Sequence, residues 1–336
     1  MNKKLEAIIK RGRVIALAGL ASLAIGCASV EPNIETPQNV KPKAEVSVPV
    51  TEKAIPIIPM SPVYLAGKTL NERFKEVNGL SSEQQVNLAK NLNNLSVWET
   101  VLLSRYAPID GILRKLSSFY STDYKKYLQA ILSGSILDPM AVGLTGDKGF
   151  GQITPSSEKW ARDLYSDKTL GYKFPGAEIT NNTLDPYTNL VLSSILFRKA
   201  AEEKIADLDA VYALYNQGFR GVSPDKDGLY ATNNLASDVV NRAKTFDSIA
   251  DDLMVFSWVS MNRPDLSKYI EDKDLRKVAE NNNDTYDGKV AYEGMIGFLN
   301  SISTNKDKYS NENRKMFKDE TANVSSWLKN LYGNGK

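Results

Sequence analysis

From residue 72 onward, apolar residues recur at intervals of three and four, the spacing that lines one face of an α-helix. The pattern predicts helical structure over 72–103, and Ile109, Ile112, Leu113, Leu116 and Phe119 continue it along one face. Residues 124–133 carry Leu128, Ile131 and Leu132 at the same spacing; Pro139 forbids extension of that helix, because its ring removes a backbone donor and clashes with the preceding turn. Residues 155–164, 186–205 and 208–216 read as helices, followed by 248–261, 289–302 and 317–332, with polar breaks at 281–284 and 304–313. No run alternates with period two for long enough to propose a large sheet, so the fold class is mainly α.

The first 26 residues break this pattern. A basic opening (Lys3, Lys4, Lys10, Arg11, Arg13) leads into an apolar run over 14–26 that ends at Cys27, the chain's single cysteine. That run is about half the ~20 residues a membrane-spanning helix needs, so it reads as a secretion signal. The stretch Leu23, Ala24, Ile25, Gly26, Cys27 resembles a bacterial lipoprotein signal, with Ala24 where that signal usually carries Leu. The resemblance implies a lipid on the Cys27 thiol, a chain held to a bacterial membrane in the cell envelope, and a mature protein without disulfides.

Residues 28–62 contain no aromatic side chain and seven of the chain's 14 prolines, the composition of a tether. Extended in a polyproline-like state, such a segment spans on the order of 100 Å. The organisation expected is a signal peptide (1–26) and a tether (27–62), then an N-terminal helical segment (63–108), a central domain (109–222) and a C-terminal helical extension (223–336), the limits at 109 and 222 being those implied by the resemblance described below. Five of the 42 basic residues and one of the 40 acidic residues lie in the signal, so the remainder carries 37 against 39. A nearly neutral body without basic clusters argues against nucleic acid as a partner, since that binding depends on neutralising phosphates. With no histidine and a single cysteine assigned to lipid, the sequence offers no metal centre, no cofactor and no imidazole or thiol catalysis.

Three polar clusters interrupt the helical pattern in a fixed order. The first is Gly134-Ser135 with Asp138-Pro139 just after; the second is Gly149-Phe150-Gly151-Gln152, preceded by Asp147; the third is Tyr215-Asn216, closing at Gly218. Each has a plain structural reading when taken alone, as a turn or as a helix end capped by glycine. In this order and spacing, however, 130–139, 146–155 and 214–218 resemble the goose-lysozyme-like lytic transglycosylases over roughly 109–222. The resemblance implies a lysozyme-like helical domain with peptidoglycan glycan strands as its ligand. In that family a Glu precedes the Ser and is the sole catalytic acid; here Gly134 stands in its place and leaves the acid position vacant.

The family's Glu protonates the glycosidic oxygen, and the sugar's own hydroxyl at carbon six then closes a 1,6-anhydro ring, so no second carboxylate is obligatory, unlike the usual two-carboxylate scheme. Losing the one Glu is therefore severe. By resemblance, Ser135, Gln152, Tyr215 and Asn216 border or contact the saccharide, and Gly151 replaces a Met. Substitute acids would come from Asp138, Asp147, Glu158 or Asp185; Asp147 is preferred, because goose-type lysozymes carry auxiliary aspartates in the corresponding loop. Three functions follow: a wall-binding lipoprotein without cleavage, an active lytic transglycosylase with a substitute acid, or a scaffold for other envelope proteins.

Overall fold

A computed structural model of the chain describes residues 70–175, 178–281 and 288–333. The signal, Cys27 and the tether lie outside the described residues. Twelve α-helices make up nearly all of the regular structure within them. At the centre lies α3 (Val97–Tyr120), buried on almost every face, with Leu102, Leu103, Tyr106, Ile109, Ile112 and Leu116 among its packed residues. A helix with apolar residues round most of its circumference belongs inside the protein, and the buried charged exceptions Asp110 and Arg114 pair with each other there. Its start is written in the sequence: the Ser96 hydroxyl accepts the Glu99 N–H, and the Glu99 carboxylate accepts the Ser96 N–H in return. Pro108 sits inside the helix without ending it.

Before and after α3 come α1 (Leu70–Asn78), α2 (Ser82–Asn91), α4 (Tyr124–Ser135), α5 (Pro155–Ser166), α6 (Pro186–Ala201) and α7 (Leu208–Gln217); α1 and α6 pack directly on α3, while α5 and α7 pack on α6. A two-stranded antiparallel hairpin follows, β1 (Val222–Pro224) with β2 (Tyr230–Thr232). The chain then adds α8 (Ser237–Lys244), α9 (Asp247–Asn262), α10 (Lys273–Asn281), α11 (Gly288–Thr304) and α12 (Asn311–Tyr332). Side-chain caps set several starts: Asp123 for α4, Thr154 with Pro155 for α5, Asp185 with Pro186 for α6, and Asp207 for α7.

The mainly helical class expected from the sequence is what the structure has, but the domain limits differ. The boundary between 108 and 109 falls inside the continuous helix α3, and the one between 222 and 223 falls inside strand β1. The C-terminal helices are not an appendage either. Helices α9 and α11 pack directly against α3, and one core runs from Phe74 to Trp327. The single pattern over 72–103 resolves into α1, α2 and the first turns of α3, broken at Gly79 and at Asn93 and Asn94. Helices α8 and α10 were not anticipated, although Val240 and Ala243 in α8 and Leu275, Val278 and Ala279 in α10 carry the three-and-four spacing of a buried face; each helix is only about two turns long and otherwise polar.

A carboxylate on the face of α9 toward α3 makes this packing pH-dependent. Burial of Asp252, followed by the charges of Glu99 and Asp251, raises its pKa to about 6. A raised carboxylate favours the fold while protonated, and that contribution is lost as the pH rises through about 6. We predict that Asp252→Asn stabilises the protein at pH 7.5 by on the order of 1 kcal/mol, a value discounted because the carboxylate is half exposed. Thermal melts across pH should show the advantage shrinking to nothing by about pH 4, near the unfolded carboxylate value.

Candidate functional site

Helix α4 delivers position 134 to the surface. Gln129 through Ser133 are buried, and so is Ser135, while Gly134 between them is exposed. The helix is held from beneath: Tyr127 donates to Leu190 O and shares hydroxyl hydrogen bonds with Ser193 and Ser194 of α6, and Ser133 is hydrogen-bonded to the Tyr212 hydroxyl of α7. A β-carbon placed on Gly134 would lie 3.4 Å from Gln152 Cγ, an ordinary contact. The backbone there does not occupy the left-handed region, so neither space nor conformation demands glycine. Position 134 therefore points at Gln152 and has room for a side chain.

After Ser135 the chain reverses through Ile136 and Leu137, both at φ of 56°. Ser135 is buried and donates to Ile131 O at 3.2 Å, which places it within the helix end rather than toward a ligand. Residues 141–153 then fold back on themselves. Lys148 bridges to Val142 on one side and Ile153 on the other, and Gly149 N donates to Ala141 O at 2.8 Å.

The glycines of this loop are required by contact. Gly149 has φ of 68°, and a β-carbon on it would strike the Asn189 side chain at 2.4 Å; one on Gly151 would strike Ser193 Cβ at 2.3 Å and the Tyr215 hydroxyl at 2.8 Å. This leaves the loop seated on α6 and α7. Gln152, itself at φ of 48°, donates from Nε2 to Gly149 O at 2.8 Å and toward Ala141 O at 3.4 Å. Its carboxamide thus braces the loop, with Oε1 directed toward Gly143.

Asn189 holds this arrangement and was not singled out from the sequence. The side chain is fully buried, donates to Lys148 O at 2.8 Å and Thr183 O at 2.9 Å, and accepts from Gly151 N at 2.8 Å. Its signal was available as an amide set directly before Leu190, Val191 and Leu192, where a buried polar group must find partners. Tyr215, at the end of α7, donates to Gly151 O at 2.7 Å, with its ring against Phe197. Burial, and then the nearby Tyr127 and Tyr212, push its phenol well above the usual value, so it stays a neutral donor. Asn216 is exposed beside it and accepts from Gln217 Nε2 at 2.8 Å.

The four carboxylates weighed as substitute acids fall in different settings. Asp185 caps α6 by accepting Thr188 N at 2.8 Å. At Glu158, burial is outweighed by Thr183, Arg162 and Lys148, which hold the carboxyl below its ordinary value; Arg162 donates to it at 2.9 Å. Burial raises Asp138 against the pull of the Met140 N–H and Arg105, and its surroundings include Arg105 and Glu320. Asp147 accepts the Thr145 hydroxyl and faces the same side of Gly143 as Gln152 Oε1. It therefore shares Gln152 as a neighbour with position 134.

The structure thus brings together position 134, Gln152, Gly151 and Tyr215, sets Asp147 and Asn216 at the margin, and withdraws Ser135 into the fold. Comparison with protein-family models, curated proteins and solved structures returned no match. The tight seat of Gly151 yields a direct test. We predict that Gly151→Ala destabilises the protein by on the order of 2 kcal/mol, because a methyl group cannot enter without displacing Ser193 or Tyr215. The urea midpoint should fall, with loss of near-ultraviolet aromatic signal.

Proposed function

We propose that the chain is a membrane-anchored lipoprotein that binds peptidoglycan glycan strands through a lysozyme-like groove of the lytic-transglycosylase type, without cleaving them. The observation that supports this reading is that exposed position 134 faces Gln152, whose chain neighbour Gly151 accepts the Tyr215 hydroxyl, with no carboxylate at 134. In the resembling family, the protonating Glu occupies that position. Glycine has no proton to give, and general acid catalysis contributes about 10²–10⁴-fold to rate on its own. The frame around position 134 does not need a carboxylate: Gly151 donates to Asn189 and accepts from Tyr215, so a groove can persist where the chemistry has been lost. No described helix is long and apolar enough to cross a membrane, and the proposed attachment rests on the lipoprotein-like residues ending at Cys27.

One observation favours a second reading, an active enzyme. Asp147 lies beside Gln152 and is partly accessible, so a rearrangement of the 141–153 loop could bring its carboxyl to the leaving oxygen. Incubation of the purified chain with insoluble peptidoglycan separates the two. Sedimentation with the wall and no anhydromuropeptides in the supernatant is the result expected; abundant anhydromuropeptides would overturn the binding-only reading, and their loss in Asp147→Asn would assign the acid. Absence of any sedimentation would instead favour an envelope scaffold.

The vacancy itself can be filled. We predict that Gly134→Glu folds, because the new β-carbon makes only ordinary contact with Gln152, and that it creates or raises glycan cleavage by at least tenfold. Product release measured by mass spectrometry checks this, and a folded variant without activity would show that 134 is not the acid position.

A further inference from the structure

The turn that follows position 134 is strained, and the residues that hold it come from far away in the chain. Ile136 and Leu137 both have φ of 56°, a region that costs a β-branched or bulky residue on the order of 1–3 kcal/mol unless its surroundings enforce it. Leu137 is fully buried, and the carbonyl of Ile136 accepts from Arg105 Nη1 at 3.0 Å. Arg105 rises from the middle of α3 and is almost buried. Its other donors are taken by Glu320 of α12, Nε to Oε1 at 2.6 Å and Nη2 to Oε2 at 2.7 Å. That is a bidentate guanidinium–carboxylate pair, which fixes the plane of the fork as well as its position.

Two aromatic residues complete the enclosure. The Trp327 ring lies 5.1 Å from the guanidinium carbon, and Tyr292 of α11 is buried nearby. Glu320 itself is 4% exposed, so its charge has been removed from water for this contact. Within the turn, Asp138 N donates to Ser135 O at 3.1 Å and its carboxylate accepts Met140 N at 2.8 Å, which carries the geometry on to the loop that ends at Gln152.

We propose that Glu320 and Arg105 are positioning residues for the groove: the last helix of the chain orients Arg105, and Arg105 holds the Ile136 carbonyl so that position 134 and the turn after it present the geometry the groove needs. The C-terminal helices thereby serve the site directly. This rests on the groove reading above for its functional consequence, but not for its structural one.

Hydrogen exchange followed by mass spectrometry tests the structural part without any ligand. In Glu320→Gln, and in Arg105→Lys, whose point charge cannot serve the carboxylate and the carbonyl with one planar fork, peptides covering 134–140 should exchange at least tenfold faster. Peptides from α5 and α6 should not change. Glu202→Gln, which breaks the largely buried Arg198 and Lys199 ion pairs at the C-terminal end of α6, should leave 134–140 protected. Should the single variants fail to fold, Arg105→Met combined with Glu320→Leu keeps an apolar filling in place of the pair and should still expose the turn. Unchanged exchange over 134–140 in a folded variant, or acceleration spread evenly over the chain, would overturn the proposal.

Sedimentation with insoluble peptidoglycan reads the functional part. Glu320→Gln should weaken binding at least threefold while the melting temperature stays well above the assay temperature. If the unaltered chain does not bind the wall, the groove reading fails and exchange alone judges the clamp. If it binds and the variant binds equally well despite a loosened turn, the positioning role is refuted.

Discussion

A carboxylate with no exposure sits in the middle of the central helix, and the packing of three helices is arranged around it. Asp110 of α3 accepts hydrogen bonds from Tyr106 at 2.8 Å and from Ser257 of α9 at 2.8 Å, with the Tyr124 hydroxyl of α4 at 3.5 Å, and pairs with Arg114 one turn along at 3.4 Å. Tyr106 and Tyr124 are themselves joined at 2.6 Å, and burial drives both phenols well above their usual range, so they remain protonated donors. A charge removed from water is tolerated only when partners surround it, so helices that supply those partners have little freedom to slide. Because α4 is one of them, the constraint sets where its far end, and with it position 134, emerges.

From that end the loop over 141–153 is fixed by polar groups bonded to backbone. Asn189 joins the glycine-rich loop to the start of α6, Tyr215 joins it to the end of α7, and Arg105 fixes the turn between α4 and the loop. Each bond is made by a side chain on a packed helix to a carbonyl or N–H of an irregular segment, which is how a loop acquires a defined shape. Gly134 contributes no side chain to this frame, so the frame does not depend on which residue stands there.

Part of the helical content was legible because apolar spacing and prolines agree: Pro155 and Pro186 each stand at a start that the structure keeps, capped by Thr154 and Asp185, whereas the Ser96–Glu99 box that starts α3 lies inside a stretch that reads as one helical pattern. Helices α8 and α10 do carry an apolar face, Val240 with Ala243 and Leu275 with Val278 and Ala279, but over only about two turns amid many charges, where a period is easily passed over. A motif marks the residues around a bend and not the extent of the helix that supports them, so 108 and 109 share one helix, α3. Ser135 lies inside the helix end although Gly134 before it is exposed. Adjacent residues on a helix point about 100° apart, so the exposure of Gly134 says nothing about the residue after it.

The sequence by itself determined the helical class, the positions of most helix starts, the order of the three polar clusters and the lack of a carboxylate at 134. These depend on local spacing and residue chemistry, which a linear chain states directly. Only the tertiary structure decided that position 134 faces Gln152, that Gly149 and Gly151 are glycines because Asn189, Ser193 and Tyr215 lie against them, and that Glu320 holds the Arg105 that reaches the turn after position 134. Those contacts join residues up to 215 positions apart. They exist because the buried charges and apolar faces of distant helices can be satisfied together in one packing, a condition no local pattern contains.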